Sequence, residues 1–428
     1  MKKNELTLNS QVPMVGILAD DFTSAADAAG PFVARGYEAI VRRGNIRAEG
    51  QLMHSLHEDI YAIDVGSRLL SASEAAQLMA SAASKLLASK LLLKTIDSTL
   101  RGNIRSELKS TIEIAFTSGE YDRVVIAPAF PNAGRVTRRG VQYIDGIPVS
   151  QSSYGRDIVH PATTSSIQDL LDPCFGKPVI VSHQADIAEL NNDQNNAQIL
   201  ILDAESQREL SRLIARISNP ERVLWVGSPG LAIALSDLLS EIVQPTKPQS
   251  KSEPKIWNIA TAFNRKRVLI LIGSANKVSH DQSAHLLNSG VPVFERAMEI
   301  LSPKFSKSPI VCLTVPPTRQ SNSQKVKEAL ITEALTLMSL GEFDTVIATG
   351  GETMVAFMET LFLDKMLLKG ELEPGFPYGI ARSKICGHDK TAPDFLLAMK
   401  AGGFGAPGLL LDAARSFLSI STEKTNAN

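Results

Sequence analysis

The chain reads as an α/β protein of two domains, each a mainly parallel sheet flanked by helices, with an active-site cleft expected between them. Three observations predict this. Short apolar, β-branched runs alternate with helical patterns along all 428 residues, as they do where helices layer on a parallel sheet. Several runs end in polar, glycine-bearing turns, where open parallel sheets bind ligands. One polar stretch, Gln244 to Lys255, carries three prolines and can continue neither helix nor central strand. It divides the chain into an N-terminal domain over 1–243, a linker over 244–256 and a C-terminal domain over 257–428.

In chain order, strands are expected at Met14–Ala19, Ile60–Val65, Leu91–Ile96, Arg123–Ala127, Val179–Val181, Ile199–Leu202 and Val223–Val226. Ser73–Ala88 is expected as a helix, because Ala75, Leu78, Met79, Ala82 and Leu86 recur near the 3.6-residue period. The preceding Ser71-Ala72-Ser73-Glu74 supplies a serine cap and a first-turn acid. Val141 to Val149 reads as a hairpin about Asp145-Gly146, at a sheet edge or as a flap. Beyond the linker come a strand at Val268–Ile272, a helix at Ser323–Leu340, a strand at Phe343–Ala348 and a helix at Thr353–Leu363. No internal repeat of 20–50 residues is present, which sets aside solenoids and propellers.

Composition narrows the function classes. With 44% hydrophobic and 21% charged residues, the chain is not extended disorder. Lys and Arg number 44 against 45 Asp and Glu, so no basic field draws it to nucleic acid or an anionic membrane. The three cysteines, Cys174, Cys312 and Cys386, are far apart and fit neither a disulfide framework nor a zinc site, so buried, inert thiols are expected. The polar N-terminus lacks an apolar signal region, and the most apolar window, Val223–Val243, is too interrupted to span a membrane. A cytoplasmic protein is expected.

The strand ends carry the chemistry. Met14–Ala19 runs into Asp20-Asp21-Phe22-Thr23-Ser24, and two adjacent carboxylates call for a cation, a ligand hydroxyl or a basic neighbour. Helix capping by Asp21 or Thr23 accounts for one acid but not for the pair. Ile60–Val65 ends at Gly66-Ser67-Arg68. Leu91–Ile96, which includes Lys94, ends at Asp97-Ser98-Thr99-Leu100-Arg101-Gly102. Arg68 and Arg101 have the planar fork that matches a carboxylate. A fourth strand end, Ala127 to Gly140, is a Pro- and Gly-punctuated loop with three arginines, suited to a lid or to a solvated turn.

In the second domain, Thr349-Gly350-Gly351-Glu352-Thr353 joins a strand to a helix start, a place for phosphate oxygens. Gly273-Ser274-Ala275-Asn276 is a second small-residue turn and Lys400 to Gly405 a third. Gly403, Gly405 and Gly408 satisfy G-x-G-x-x-G, but too little chain follows to complete a dinucleotide fold. No P-loop and no G-x-S-x-G elbow occurs. His54, His57, His280 and His285 lack a ligand frame and read as surface or capping residues.

Ala19–Thr23 (Ala-Asp-Asp-Phe-Thr), Lys94–Asn103, Ala127–Arg135, Thr349–Thr353 and Gly402–Gly405 together resemble the four-carbon acid sugar kinase family, in order and across nearly the whole chain. The resemblance implies a sugar-acid-binding N-terminal domain and a nucleotide-binding C-terminal domain. It further implies phosphorylation of the terminal (4-) hydroxyl of threonate or erythronate, with ATP and Mg²⁺. Carried over, Asp21, Arg68, Lys94, Asp97, Ser98 and Arg101 contact substrate, with Asp97 or Asp21 as the catalytic base. Ser274, Gly350, Gly351, Glu352, Thr353 and Gly403 contact ATP. No metal ligand is assigned, the partners are the sugar acid and ATP rather than nucleic acid or membrane, and a homodimer is compatible. Alternatives are a 3-oxo-tetronate kinase of the same family and a non-catalytic two-domain sugar-acid sensor. Ser24 and Arg105 depart from the family pattern, which usually has Gly at both positions.

Overall fold

The computed structural model describes residues 13–44, 58–157, 160–182, 199–243, 267–274, 276–295, 308–316, 323–340, 343–382, 394–403 and 405–423. The expected linker lies outside them, as do His54, His57, Cys386 and Phe404. The chain separates into two compact units, Met1–Pro248 and Gln249–Asn428.

The first unit contains β1 (Val15–Ala19), β2 (Ala39–Arg43), β3 (Ile60–Asp64), β4 (Leu91–Thr95), β5 (Arg123–Ala127), β6 (Arg135–Arg138), β7 (Val141–Ile144), β8 (Ile147–Pro148), β9 (Val179–Val181), β10 (Ile199–Leu202) and β11 (Val223–Gly227). Its main strands run parallel in the order β2-β3-β1-β4-β11-β5-β10-β9. Strands β1, β3 and β4 are buried at every position, which is why they read as unbroken apolar runs rather than as alternation.

Its helices are α1 (Phe22–Val33), α2 (Ala72–Leu86), α3 (Ile104–Ser118), α4 (Gln207–Ile214) and α5 (Pro229–Ile242). Leu18, Leu92, Ile126 and Val226 face one side of the sheet, sharing a core with Met79 and Leu86 of α2 and Leu108 and Ile112 of α3. The alternate residues point to the opposite face. Helix α2 starts one residue earlier than expected, because Ser71 and Glu74 form a reciprocal capping box.

The Asp145-Gly146 turn forms as expected, with φ of 48° and 81°, the two positive values a type I′ hairpin requires. The hairpin is not simply an edge of the main sheet. Strands β6, β7 and β8 make a separate antiparallel sheet.

The second unit contains β12 (Val268–Ile272), α6 (Lys277–Asn288), β13 (Val293–Phe294), β14 (Ile310–Thr314), α7 (Ser323–Leu340), β15 (Thr345–Thr349), α8 (Gly351–Thr360), β16 (Lys365–Glu371), β17 (Pro377–Arg382), β18 (Asp394–Lys400) and α9 (Leu409–Glu423). Its strand order is β13-β14-β12-β15-β18-β17-β16, parallel through β18 and antiparallel thereafter. Ile270, Ile347 and Leu396 pack under Leu410 and Phe417 of α9, and the Phe417 ring meets Tyr378 edge-on at 5.7 Å.

Cys312 is buried as expected, but Cys174 is exposed beside Asp172, so the buried-thiol expectation fails there. His280 is half-buried rather than on the surface, and its Nε2 has no hydrogen-bond partner among the described residues.

Candidate functional site

In the first unit, three strands expected to carry chemistry, β3, β1 and β4, are neighbours, so their carboxyl ends converge. The β1 end supplies both acids, and both take the same arginine. Arg68 Nε donates to Asp20 Oδ2 at 2.7 Å and Nη2 to Asp20 Oδ1 at 3.1 Å, a two-pronged pair. Arg68 Nη1 lies 2.6 Å from Asp21 Oδ2. Asp21 also caps α1, accepting from Ser24 N at 2.7 Å, so the capping role and the charged role coexist. The fork expected to be open to a substrate carboxylate is thus already matched by two acids of the chain.

The turn after β4 is similarly self-paired. Asp97 accepts from Thr99 N at 2.9 Å, Thr99 Oγ1 at 2.6 Å and Arg101 Nε at 2.7 Å. Arg101 Nη1 also lies 3.4 Å from Asp157 Oδ2, and its guanidinium stacks 5.0 Å from the centre of the Tyr154 ring. Leu100 takes φ of 55°, a left-handed value that a branched residue adopts only under constraint, and Gly102 follows at 94°. A Cβ on Gly102 would sit 3.3 Å from Asp20 Oδ2, so the glycine lets this turn approach the acids of β1.

Lys94 differs from its expected role. It is 1% exposed, and its ammonium pairs with Glu107 Oε2 at 2.8 Å and the Thr95 carbonyl at 2.6 Å. Glu107 also accepts from Ser67 Oγ at 2.5 Å. Lys94 therefore turns inward and holds the 66–70 turn from below. Asn103 Nδ2 holds that turn as well, donating to the carbonyls of Ser67 and Leu70. The Ser98 carbonyl accepts from Gln142 Nε2 at 2.9 Å. Arg105 points its Nη2 to the Leu171 carbonyl.

The acids differ in their titration. Burial alone would raise Asp97, but Arg101, Arg68 and the Thr99 hydrogen bonds outweigh it and hold the carboxyl down to about 2. Burial, partly offset by Arg68 but reinforced by the Asp20 charge, pushes Asp21 upward. Asp64, at the end of β3, is pushed up to about 7 by burial and the charge of Asp21, despite Arg43 Nε at 3.5 Å and a hydrogen bond from Gly66 N. Asp64 lies close enough to feel the charges of Asp21 and Asp20, and the sequence does not flag it, since inside an apolar run it looks like the polar end of a strand.

In the second unit, three turns come together. A Cβ on Gly350 would lie 3.5 Å from Thr353 Oγ1 and 3.7 Å from Ser274 Cβ. One on Gly402 would overlap Ser274 Oγ, one on Gly273 would overlap Thr353 Oγ1, and one on Gly403 would lie 3.2 Å from Asn276 Nδ2. Gly350, at φ of 93°, begins α8 with no side-chain cap among the described residues. Thr353 N and Met354 N turn back to its carbonyl, while the N–H groups of Gly351 and Glu352 belong to the helix's unpaired first turn. An uncapped helix start walled by glycines fits phosphate oxygens. The Glu352 side chain points elsewhere, to Lys327 Nζ at 2.9 Å.

Lys400, next to Thr349 in the register, is fully buried; its Nζ donates to the Ala401 carbonyl at 3.0 Å, and burial pulls it down to about 8. Its carbonyl accepts from Gly350 N, tying β18 to the cradle. Among the described residues, no three His, Cys, Asp or Glu side chains gather as a metal site.

A model of a sugar-binding N-terminal domain matches residues 15–235, more than half the chain, and one of a nucleotide-binding C-terminal domain matches residues 269–410. The chain belongs to the four-carbon acid sugar kinase family. By that membership it is a kinase. It is 27% identical over 427 residues to a D-threonate kinase of Bordetella bronchiseptica, covering 94% of this chain and 97% of that one. It is 26% identical over 453 residues to a 3-oxo-tetronate kinase of Burkholderia multivorans, covering 96% and 99%. A solved structure from Salmonella typhimurium LT2 superposes with a TM-score of 0.72 at 19% identity, covering 94% of this chain and 98% of that one, which shows the shared fold. No helix among the described residues is long and apolar enough to cross a membrane.

Proposed function

We propose that the protein transfers the γ-phosphoryl group of ATP to the terminal (4-) hydroxyl of a four-carbon acid sugar, D-threonate or D-erythronate. One observation carries the reading: the acid-and-arginine cluster of the first unit and the uncapped glycine turn of the second fall on the sugar-binding and nucleotide-binding halves of one chain. When bound, ATP and its Mg²⁺ supply the phosphoryl group and neutralise charge as it moves. The chain's own residues bind, orient and accept a proton.

In this reading Arg68, Ser98 and Arg101 line the acid, and Lys94 positions their turns through Glu107. Asp21 accepts the hydroxyl proton, because burial and the Asp20 charge raise its carboxyl, whereas Asp97, tied by three donors, is too weak a base and orients the substrate. Ser274, Gly350, Gly351, Glu352, Thr353 and Gly403 take the nucleotide, Glu352 through its backbone. The proposed location is the cytoplasm, where both substrates are small metabolites, and sedimentation tests the homodimer.

The deciding experiment is ADP release with ATP and Mg²⁺ against D- and L-threonate, D- and L-erythronate and 3-oxo-tetronate. Strong stimulation by D-threonate or D-erythronate is expected. Stimulation by 3-oxo-tetronate alone would move the chain to the specificity of its Burkholderia relative. Acid binding with no ADP release from any acid would leave the sensor reading.

A further inference from the structure

Arg68 and Arg101 each face carboxylates of the chain itself. A third arginine beside them faces none among the described residues. Arg135 opens β6, held by the tight turn from Phe130, whose N–H and carbonyl pair with those of Arg135 at 2.8 and 3.1 Å. Its guanidinium is half-buried. Nη1 donates to the Ala133 carbonyl, and Nη2 lies 3.4 Å from Tyr154 Oη. Nε is buried without an acceptor, and among the described residues no carboxylate pairs with this charge. A part-buried cation lacking a counter-charge favours an anion beside it.

The placement points to the sugar site. Thr137, two residues along β6 and so on the same face, hydrogen-bonds Gln142 of β7 at 2.7 Å. Gln142 in turn donates to the carbonyls of Ser98 and Pro128 at 2.9 and 3.1 Å. The face of the small sheet that carries Arg135 is therefore fastened to the turn bearing Asp97 and Arg101. Tyr154 bridges the two arginines, with its hydroxyl toward Arg135 and its ring under Arg101.

We propose that Arg135, assisted by the Tyr154 hydroxyl, is the residue that holds the substrate's carboxylate and so selects acids over neutral polyols. This rests on the sugar-acid kinase reading above. The small antiparallel sheet is then a specificity element, and the arginines at the main strand ends order the catalytic acids rather than grip the acid's charge.

The test compares D-threonate with its neutral amide in the full chain, by calorimetric binding and by ADP release, for the wild type, Arg135→Met, Arg135→Lys and Tyr154→Phe. In Arg135→Met the KM for the acid is expected to rise about 10- to 100-fold, the scale of a lost charge-assisted contact. Its kcat should move less than about threefold, and its preference for acid over amide should collapse. Arg135→Lys, with charge but no fork, falls between, and Tyr154→Phe loses less. An unchanged preference in Arg135→Met melting at the wild-type temperature overturns the assignment and leaves the kinase reading standing. If Arg135→Met does not fold, the preference is measured in Arg135→Gln instead, which also removes the charge and where a wild-type value overturns the assignment equally. A wild type that neither binds nor turns over any four-carbon acid overturns the kinase reading, and this assignment with it.

Discussion

Arg68 shows how far residue type alone can carry an inference. Its fork suits a carboxylate, and it does meet carboxylates, but they are Asp20 and Asp21. Removing it would leave two buried acids facing each other, so Arg68→Met is expected to lose both folding stability and turnover, read by thermal melts and ADP release. Asp21→Asn keeps the α1 cap, since the amide oxygen still accepts from Ser24 N, yet should lower kcat by about 10²- to 10⁴-fold. A loss confined to Asp97→Asn would reverse the two roles. Asp64 predicts a pH signature. Its folded carboxyl near 7 exceeds its unfolded value of 3.8, so the folded state binds the extra proton between those values, and stability falls as pH rises through that window. The slope is on the order of 1.4 kcal/mol per pH unit. Urea titrations from pH 4 to 8 should show Asp64→Asn flattening the decline and melting higher than wild type at pH 8.

At the scale of elements, caps and turns are legible in the sequence and several strands are not. Ser71 and Glu74 announced α2 because a capping box is a local device, and Ser71→Ala should cost about 1 kcal/mol in urea unfolding. Asp145-Gly146 announced its hairpin for the same reason. Strand β2 went unread because it ends in Arg42 and Arg43, and β16 and β17 because only long-range pairing makes them strands. The glycine turns of the second unit belong to this scale too. Gly402→Ala would drive a methyl into Ser274 and should raise the KM for ATP by about tenfold or more, with little change in that for the acid. Equal shifts in both would mean a general loss of folding.

At the scale of the molecule, two compact units on one chain predict separable responses to ligand. In hydrogen exchange, D-threonate should protect β1, β4 and the 97–103 turn, while ADP should protect the starts of α6 and α8. Ligand at about a hundred times Kd is worth about 2.7 kcal/mol of protection. Protection of one unit by both ligands would contradict the division of labour. Local periodicity and chain neighbours are enough to specify the α/β class, the strands of the first sheet other than β2, the order of the motifs and the residue types at their ends. Which charge meets which they do not specify. That Arg68 serves Asp20, that Lys94 turns inward to Glu107, and that Arg135 lies beside Tyr154 with no carboxylate partner among the described residues emerge only from the packed fold. Those pairings join residues up to 48 positions apart, at distances where a shift of an ångström changes the partner, and no local pattern encodes them.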